Sequence, residues 1–168
     1  MTLLTSLGLT AAPVGTQIPH YGPYALMWNF FFAYGLLSSR TLKQYYGIDH
    51  NSSPREDLTK YGEAAVSSGK ITRAQLQMLK RNESAHANAV ENYALLVGAV
   101  SVAGFAGVEH VTVNRAVVGY TLARTVYALV YVLVPTGYER LSQLRGLCWW
   151  AGNLCCLGLL WSAARVLG

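Results

Sequence analysis

A twelve-residue stretch without proline or glycine, Arg81-Asn82-Glu83-Ser84-Ala85-His86-Ala87-Asn88-Ala89-Val90-Glu91-Asn92, runs directly into the apolar Tyr93-Ala94-Leu95-Leu96-Val97. No helix breaker intervenes before Gly98, so the whole segment reads as one helix with its polar half first. Residues three and four apart share a helix face, which puts Arg81, Ser84, Asn88, Glu91 and Asn92 on one stripe and turns Glu83 and His86 elsewhere. A carboxylate and two amides entering an apolar helix are costly to bury unless something binds them. Two readings stay open at this point: a wet helix end satisfied by its neighbours, and a ligand site.

The rest of the chain says what surrounds that helix. Only 12% of the 168 residues are charged, roughly half the share of a soluble domain. Eleven tyrosines and four tryptophans suit water–lipid boundaries. The net charge of +5 is no nucleic-acid signal, because the basic residues gather in a central region between apolar segments. Cys148, Cys155 and Cys156 all fall in the last apolar segment. They form neither a disulfide framework nor a zinc pattern, and no metal site is expected. No basic region precedes the first apolar residues, so a cleaved signal peptide is not expected.

Four spans are predicted, at about 20–43, 75–107, 112–134 and 145–166, in one all-α membrane domain over 1–168. The first is nearly uncharged from His20 to Ser39, about one bilayer thickness of helix, with Arg40 and Lys43 closing its end. Residues 1–19 read as an arm. A polar loop over about 44–74 follows, with Thr72 placed to cap the next helix. In the third span Tyr120, Arg124, Tyr127 and Tyr131 are spaced four, three and four apart, hence on one face. An arginine in mid-span needs a partner. Glu91 is the expected one, either in a structural ion pair or in a site. Pro135 and Gly137 end that helix, and Tyr138 to Leu144 read as a loop. Gly104, Gly107 and Gly152 read as helix-packing glycines rather than phosphate binders.

Basic residues set the topology. Arg40, Lys43, Arg55, Lys60, Lys70, Arg73, Lys80 and Arg81 flank the first loop, and Arg140 and Arg145 flank the third. In a four-span chain those loops share one side, the cytoplasmic one by the positive-inside rule. The charged helix ends then converge on the cytoplasmic half, which favours a site for a polyanionic ligand.

Three motifs in order carry a family resemblance. Arg81 through Asn92, with its Ala-His-x-Asn-x-x-Glu-Asn core, resembles the second-helix signature of the MAPEG family (membrane-associated proteins in eicosanoid and glutathione metabolism). Arg124-x-x-Tyr127-x-x-x-Tyr131 resembles the family's third-helix pattern, and Arg145-Gly146-Leu147-x-Trp149 the start of its fourth helix. The resemblance covers about residues 20–167. It implies a homotrimer of four-helix subunits in the endoplasmic reticulum or an equivalent membrane, with glutathione bound between subunits near the cytoplasmic face. By position, Asn88 and Glu91 would hold the peptide backbone and amino end, and Arg40 a carboxylate from the adjacent subunit. Arg81, Arg124, Tyr127 and Tyr131 would complete the pocket. Arg145 would stabilise the thiolate, with Tyr131 beside it. A lipophilic substrate would enter from the bilayer against residues such as Trp149 and Leu133. The chain departs from the pattern at Ser84, where an arginine is usual, at Gly146, where some members carry a serine, and in a longer link between Tyr131 and Arg145 that brings Arg140 into competition.

The implied activity is conjugation of glutathione to a lipophilic electrophile, or reduction of a lipid hydroperoxide. A glutathione-independent isomerase or cyclase of a hydrophobic metabolite is the alternative, with Glu91, the tyrosines and His86 as acid–base groups and Asp49 as a proton acceptor in the loop. A non-catalytic lipid-binding member is the third reading. Retention of Arg124, Tyr131 and Arg145 argues against it, since a lipid sleeve needs no buried cation.

Overall fold

The computed structural model describes residues 2–11, 13–135 and 137–168, and among these the secondary structure is all helical. In chain order the helices are α1 (Leu3–Ser6), α2 (Gly22–Phe31), α3 (Ser39–Tyr45), α4 (Gly62–Ser67), α5 (Arg73–Phe105), α6 (His110–Leu133) and α7 (Glu139–Leu167). π-helical turns at Phe32–Leu36 and Asp57–Tyr61 extend α2 and precede α4.

Helix α5 is the axis of the fold, and its start is written in the sequence. Thr72 Oγ1 accepts from the Gln75 amide at 3.2 Å, and the Gln75 side chain accepts from the Thr72 amide at 2.7 Å. This capping box satisfies two donors that a helix N-terminus leaves free. At the other end Gly107, at φ +74°, turns the chain toward α6 in a left-handed conformation that glycine adopts without a Cβ penalty. Helices α5, α6 and α7 pack on one another, and α2 lies against α5 and α6. Their shared core is built from Leu96, Ala99 and Ala103 of α5, Val113 and Val117 of α6, and Cys156, Leu159 and Ala163 of α7. Small residues in each helix let the backbones approach closely. Gly152 contributes to this packing, since a Cβ there would sit 3.3 Å from Arg124 Cδ. Gly104 has nothing within 4 Å of such a position among the described residues, so the packing role expected of it is absent there.

The N-terminal arm is fastened to the start of α6. Asn114 is fully buried and donates to the carbonyls of Ser6 and Pro19 at 2.6 and 2.8 Å, while its Oδ1 accepts from the Tyr21 amide at 2.8 Å. Arg115 Nε donates to the Gly8 carbonyl at 2.7 Å.

Two expectations are corrected. The segment 20–43 is not one helix: it breaks at Leu37 and Ser38, where Ser38 is extended at ψ 127°. Residues 139–144 are not loop, because α7 starts at Glu139, six residues early. The run from Glu139 to Arg145 contains good helix formers and no breaker, so the helix continues beyond its apolar part. Among the described residues, α6 and Arg140–Leu167 are the two helices long and apolar enough, by length and composition, to cross a membrane. Helix α2 is interrupted too soon, and α5 carries Arg73, Lys80, Arg81, Glu83 and Glu91 before its apolar part.

The polar loop has its own small core of Ile48, Leu58, Ile71, Leu76 and Leu79. Beneath it Lys43, 1% exposed, and Asp57, 0% exposed, form an ion pair at 3.2 Å. Asp57 also accepts from the His50 backbone and contacts His50 Nδ1, at 3.0 and 2.8 Å. Lys43 further donates to the Pro54 carbonyl and lies 3.7 Å from Glu83 of α5. The loop is thus tied to α3 and α5 directly beside the polar stripe.

Candidate active site

Two polar groupings flank the stripe of α5. The first faces α6. Arg124 is 3% exposed, and its Nη2 donates to Asn88 Oδ1 at 2.8 Å. Its guanidinium carbon lies 4.4 Å from the Tyr127 ring centroid. Nη1 is buried and has no hydrogen-bond partner among the described residues. The expected partner Glu91 is therefore replaced by Asn88, and no ion pair joins Arg124 to Glu91 among the described residues. Residues three apart on a helix differ by about 60° around its axis, which is enough to point Asn88 at α6 and leave Glu91 on the exposed flank.

From Arg124 an aromatic ladder continues toward α7. The rings of Tyr127 and Tyr131 are 5.5 Å apart in edge contact, and the Arg145 guanidinium carbon lies 4.5 Å above Tyr131. Two guanidinium groups thus bracket two tyrosine rings, each cation held by a π face. Arg145 is half-buried while Arg140 is exposed, and nothing among the described residues lies within 4 Å of a Cβ built at Gly146.

The second grouping faces α3 and the loop. A cavity of about 560 Å³ is lined by Ser39, Arg40, Lys43, Arg55, Glu83, His86 and Glu91, with Pro54, Ala87 and Val90. Arg40 is held by its own chain, donating from Nε and Nη2 to the two Asp49 oxygens at 3.1 and 2.6 Å and from Nη2 to Asn51. The hydrogen bond from Arg40 holds the Asp49 carboxyl below the usual carboxylate range. Asp49 is consequently an orienter of Arg40 and a poor proton acceptor. His86, read from sequence as lying off the stripe, contacts the Ala33 carbonyl through Nδ1 at 3.0 Å and also lines this cavity.

Among the site residues expected from sequence, Arg40 and Glu91 share the cavity, while Asn88, Arg124, Tyr127, Tyr131 and Arg145 form the ladder. Arg81 belongs to neither: its Nε and Nη2 donate to the Val132 carbonyl at 3.2 and 3.0 Å. That carbonyl is one of the last in α6, which the helix itself leaves unpaired. Ser84 is exposed and hydrogen-bonds back to the Lys80 carbonyl at 3.2 Å. His86, expected only as an acid–base group of the alternative reading, lines the cavity too, and Lys43, Arg55 and Ser39 join it without having been expected in a site. The clue for Lys43 was its position three residues after Arg40, on the same helix face. Leu133 lines a cavity with Phe32, Leu36 and Asn82 that does not include Trp149, and Trp149 makes edge contact with Trp150 at 4.9 Å. No group of three or more His, Cys, Asp or Glu side chains able to hold a metal ion occurs among the described residues.

A helical membrane-type core, a stripe of amide and carboxylate on the long helix, and the Arg–Tyr–Tyr–Arg ladder are the setting for the decisive comparison. A family model described as MAPEG family matches residues 20–165. The chain belongs to the MAPEG family. No curated protein and no solved structure matches it. MAPEG proteins are membrane-integral and include glutathione transferases, peroxidases and isomerases, and they commonly use glutathione. Membership supports a membrane, glutathione-related function of transferase or isomerase type in general.

Proposed function

We propose that this MAPEG protein is a glutathione-dependent membrane enzyme that conjugates glutathione to a lipophilic electrophile or reduces a lipid hydroperoxide. The observation that carries the reading is the charge pattern of the 560 Å³ cavity. Arg40, Lys43 and Arg55 oppose Glu83 and Glu91 across one space, matching a ligand with two carboxylates and one ammonium. Arg40, pre-aimed by Asp49, receives a carboxylate. Glu91 receives the ammonium, and Asn88 a peptide amide. The buried Arg124 Nη1 is a donor in want of an acceptor, and a peptide carbonyl supplies one. Bound glutathione contributes a sulfur nucleophile that is strong only as thiolate.

Arg145 is assigned to the thiolate. A thiol titrates near pH 8.5–9 unless a cation lowers its pKa, and a guanidinium keeps its charge at every working pH. Tyr131 beneath it holds the guanidinium in place and offers a hydroxyl to the reacting oxygen or leaving group. In the family's arrangement the protein is a homotrimer of four-span subunits. The cavity and the ladder are then completed across neighbouring subunits, toward the cytoplasmic face of the endoplasmic reticulum or an equivalent membrane. The four spans are α2 with its π turn, the apolar half of α5, α6 and α7.

A second reading, a glutathione-independent isomerase or cyclase, is favoured by Arg81, whose guanidinium is tied to the Val132 carbonyl, and by the missing cation at Ser84. Both reduce the cations available to a peptide carboxylate. Thiolate absorbance in the native protein's glutathione complex separates the two readings, since a glutathione-independent enzyme gives none, and one variant tests the role of Arg145. In Arg145→Ala, the ultraviolet thiolate absorbance of the glutathione complex is expected to disappear while glutathione binding persists. Conjugation should fall by about 10²–10³-fold, the scale of losing one transition-state charge partner. Unchanged thiolate absorbance in this variant would remove Arg145 from the proposed role.

A further inference from the structure

The N-terminal arm closes a groove that the candidate active site does not use. The end of α1 lies against the start of α6, and Gly8 sets that contact. At Gly8, whose φ is +75°, a Cβ would lie 2.5 Å from the Val111 carbonyl oxygen and 3.3 Å from Arg115 Cβ, so glycine alone lets the chain press this closely. Between the arm, α2 and the first half of α6 runs a groove of about 500 Å³. Its walls include Leu3 and Leu7 of α1, Ala25 and Trp28 of α2, and Val118 and Leu122 of α6. It shares no lining residue with the Arg40–Glu91 cavity. Leu3, Trp28 and Leu122 are exposed, so the groove opens onto the apolar surface.

The polar groups in and beside the groove restrict its occupant. The Thr121 hydroxyl is spent, donating to the Val117 carbonyl and accepting from Asn29 Nδ2, both at 2.8 Å. The other polar side-chain atoms are the Tyr21 and Tyr24 hydroxyls and the Trp28 indole N–H, neutral groups of the kind that gather at a membrane boundary. A cation stands at the end of the groove. Gly8 follows Leu7 of the wall, and its carbonyl accepts from Arg115 Nε at 2.7 Å. Arg115, Val118 and Leu122 are spaced three and four apart, hence on one face of α6. Arg115 is exposed, and its one side-chain hydrogen bond among the described residues uses Nε. The guanidinium is thus held by one edge and presents its Nη edge outward. No ion pair involves Arg115 among the described residues. Residues 1–48 contain no Asp or Glu, so neither α1 nor α2 brings a competing carboxylate. Glu109 precedes Arg115 by six residues, about 120° around the helix, and lines a separate cavity with His20 and His110.

We propose that this groove binds one glycerophospholipid of the bilayer, its phosphate on the Nη edge of Arg115 and one acyl chain along Leu7, Val118 and Leu122. The planar guanidinium fork matches two phosphate oxygens. From Arg115 to Leu122 the helix rises about 10 Å, which the chain follows away from the headgroup. An acyl chain alone gains little by leaving lipid for a groove, so the phosphate provides the selectivity and the groove places the chain. The site lies about 24 Å along α6 from Tyr131 and does not depend on the glutathione reading.

The test compares dioleoylphosphatidylglycerol with dioleoylglycerol, which has the same chains and no phosphate. Each is titrated into the delipidated full-length protein in detergent, with native mass spectrometry and thermal unfolding reading occupancy. The phospholipid should show saturable high-affinity binding of one molecule per chain, at least about tenfold tighter than dioleoylglycerol, the scale of one charge-assisted hydrogen-bonded pair. Arg115→Gln keeps an amide N–H for the Gly8 carbonyl and loses the charged fork, and it should erase that difference. Arg165→Gln, which removes an exposed cation of α7, should preserve it. If Arg115→Gln does not fold, Val118→Trp, which fills the groove and leaves Arg115 in place, should abolish the high-affinity binding. Equal binding of the two lipids, equal losses in Arg115→Gln and Arg165→Gln, or undiminished high-affinity binding in Val118→Trp overturns the proposal.

Discussion

At the scale of single residues, the interior of the site is governed by one guanidinium. Arg124 lies in mid-helix, nearly fully buried, and its one side-chain hydrogen bond among the described residues is to Asn88. A hydrogen bond to a charged group contributes about 1.5–3 kcal/mol, and its loss leaves a buried cation with only π contacts. Asn88→Ala should therefore destabilise the protein by about that amount, read as a lowered unfolding midpoint, whereas Glu91→Ala should leave stability nearly unchanged because Glu91 is exposed. Equal losses in the two would reinstate Glu91 as the partner of Arg124. The need for a partner was legible in the sequence, since an arginine between Ala123 and Thr125 in an apolar run must be satisfied. Its identity was not. Asn88 and Glu91 sit within one turn of α5, and the rotation of α5 against α6 that chooses between them is fixed by tertiary packing. For Lys43 the sequence suggested an exposed helix end. Its burial depends on Asp57, fourteen positions on, and on the fold of the intervening loop.

At the scale of elements, the loop between α3 and α5 is a clamp on the cavity rather than a linker. Its anchor is the buried Lys43–Asp57 pair at 3.2 Å. Removing one member of such a pair leaves an uncompensated charge, at a cost of about 3–5 kcal/mol. Asp57→Ala should release the 48–61 segment, seen as faster hydrogen exchange there, while α6 and α7 retain their protection. The outer latch, Arg40 with Asp49, responds to acid. The Asp49 carboxyl is held below its ordinary value by the hydrogen bond from Arg40, so its folded pKa lies below its unfolded one. That stabilisation is fully present above about pH 4, the unfolded carboxylate range, and is lost as pH falls through the lower folded value. Exchange in residues 48–51 should rise on acidification below about pH 4, and Asp49→Asn should flatten this response at the cost of a looser latch at neutral pH. The elements themselves were partly readable. Thr72 and Gln75 marked the start of α5, and Pro135 with Gly137 marked the interruption before α7. The break at Leu37 was not readable, because hydrophobicity runs through it without change. Asn82, the residue that satisfies the Leu37 carbonyl, lies 45 positions away.

At the scale of the whole molecule, one chain presents two polar groupings, which the proposed function treats as halves of one site. The cavity of Arg40 and Glu91 and the ladder from Arg124 to Arg145 lie on different flanks of α5, and none of the ladder residues lines that cavity. A homotrimer resolves this if the ladder of one subunit faces the cavity of the next. The proposed assembly predicts that mixing Arg40→Ala with Arg145→Ala subunits restores some activity, because a fraction of the shared sites then receives an intact residue from each side. Sites formed within one subunit would give no such rescue. The family and its helical character were legible from three short motifs, since these residues are set by chemistry that recurs in order along the helices. In the proposed assembly the pairing of halves is a matter of subunit contacts, which a single sequence does not encode in any local pattern.

The most direct test of the central claim is a calorimetric titration of glutathione into the protein held in nanodiscs, with Glu91→Ala and Arg145→Ala beside it. Saturable binding is expected for the native protein, weakened at least about tenfold in Glu91→Ala, and still measurable in Arg145→Ala. Absence of any binding heat at glutathione concentrations well above about 1 mM, the upper end of ordinary enzyme affinities, would contradict the claim and leave the same fold to a reaction that uses no thiol.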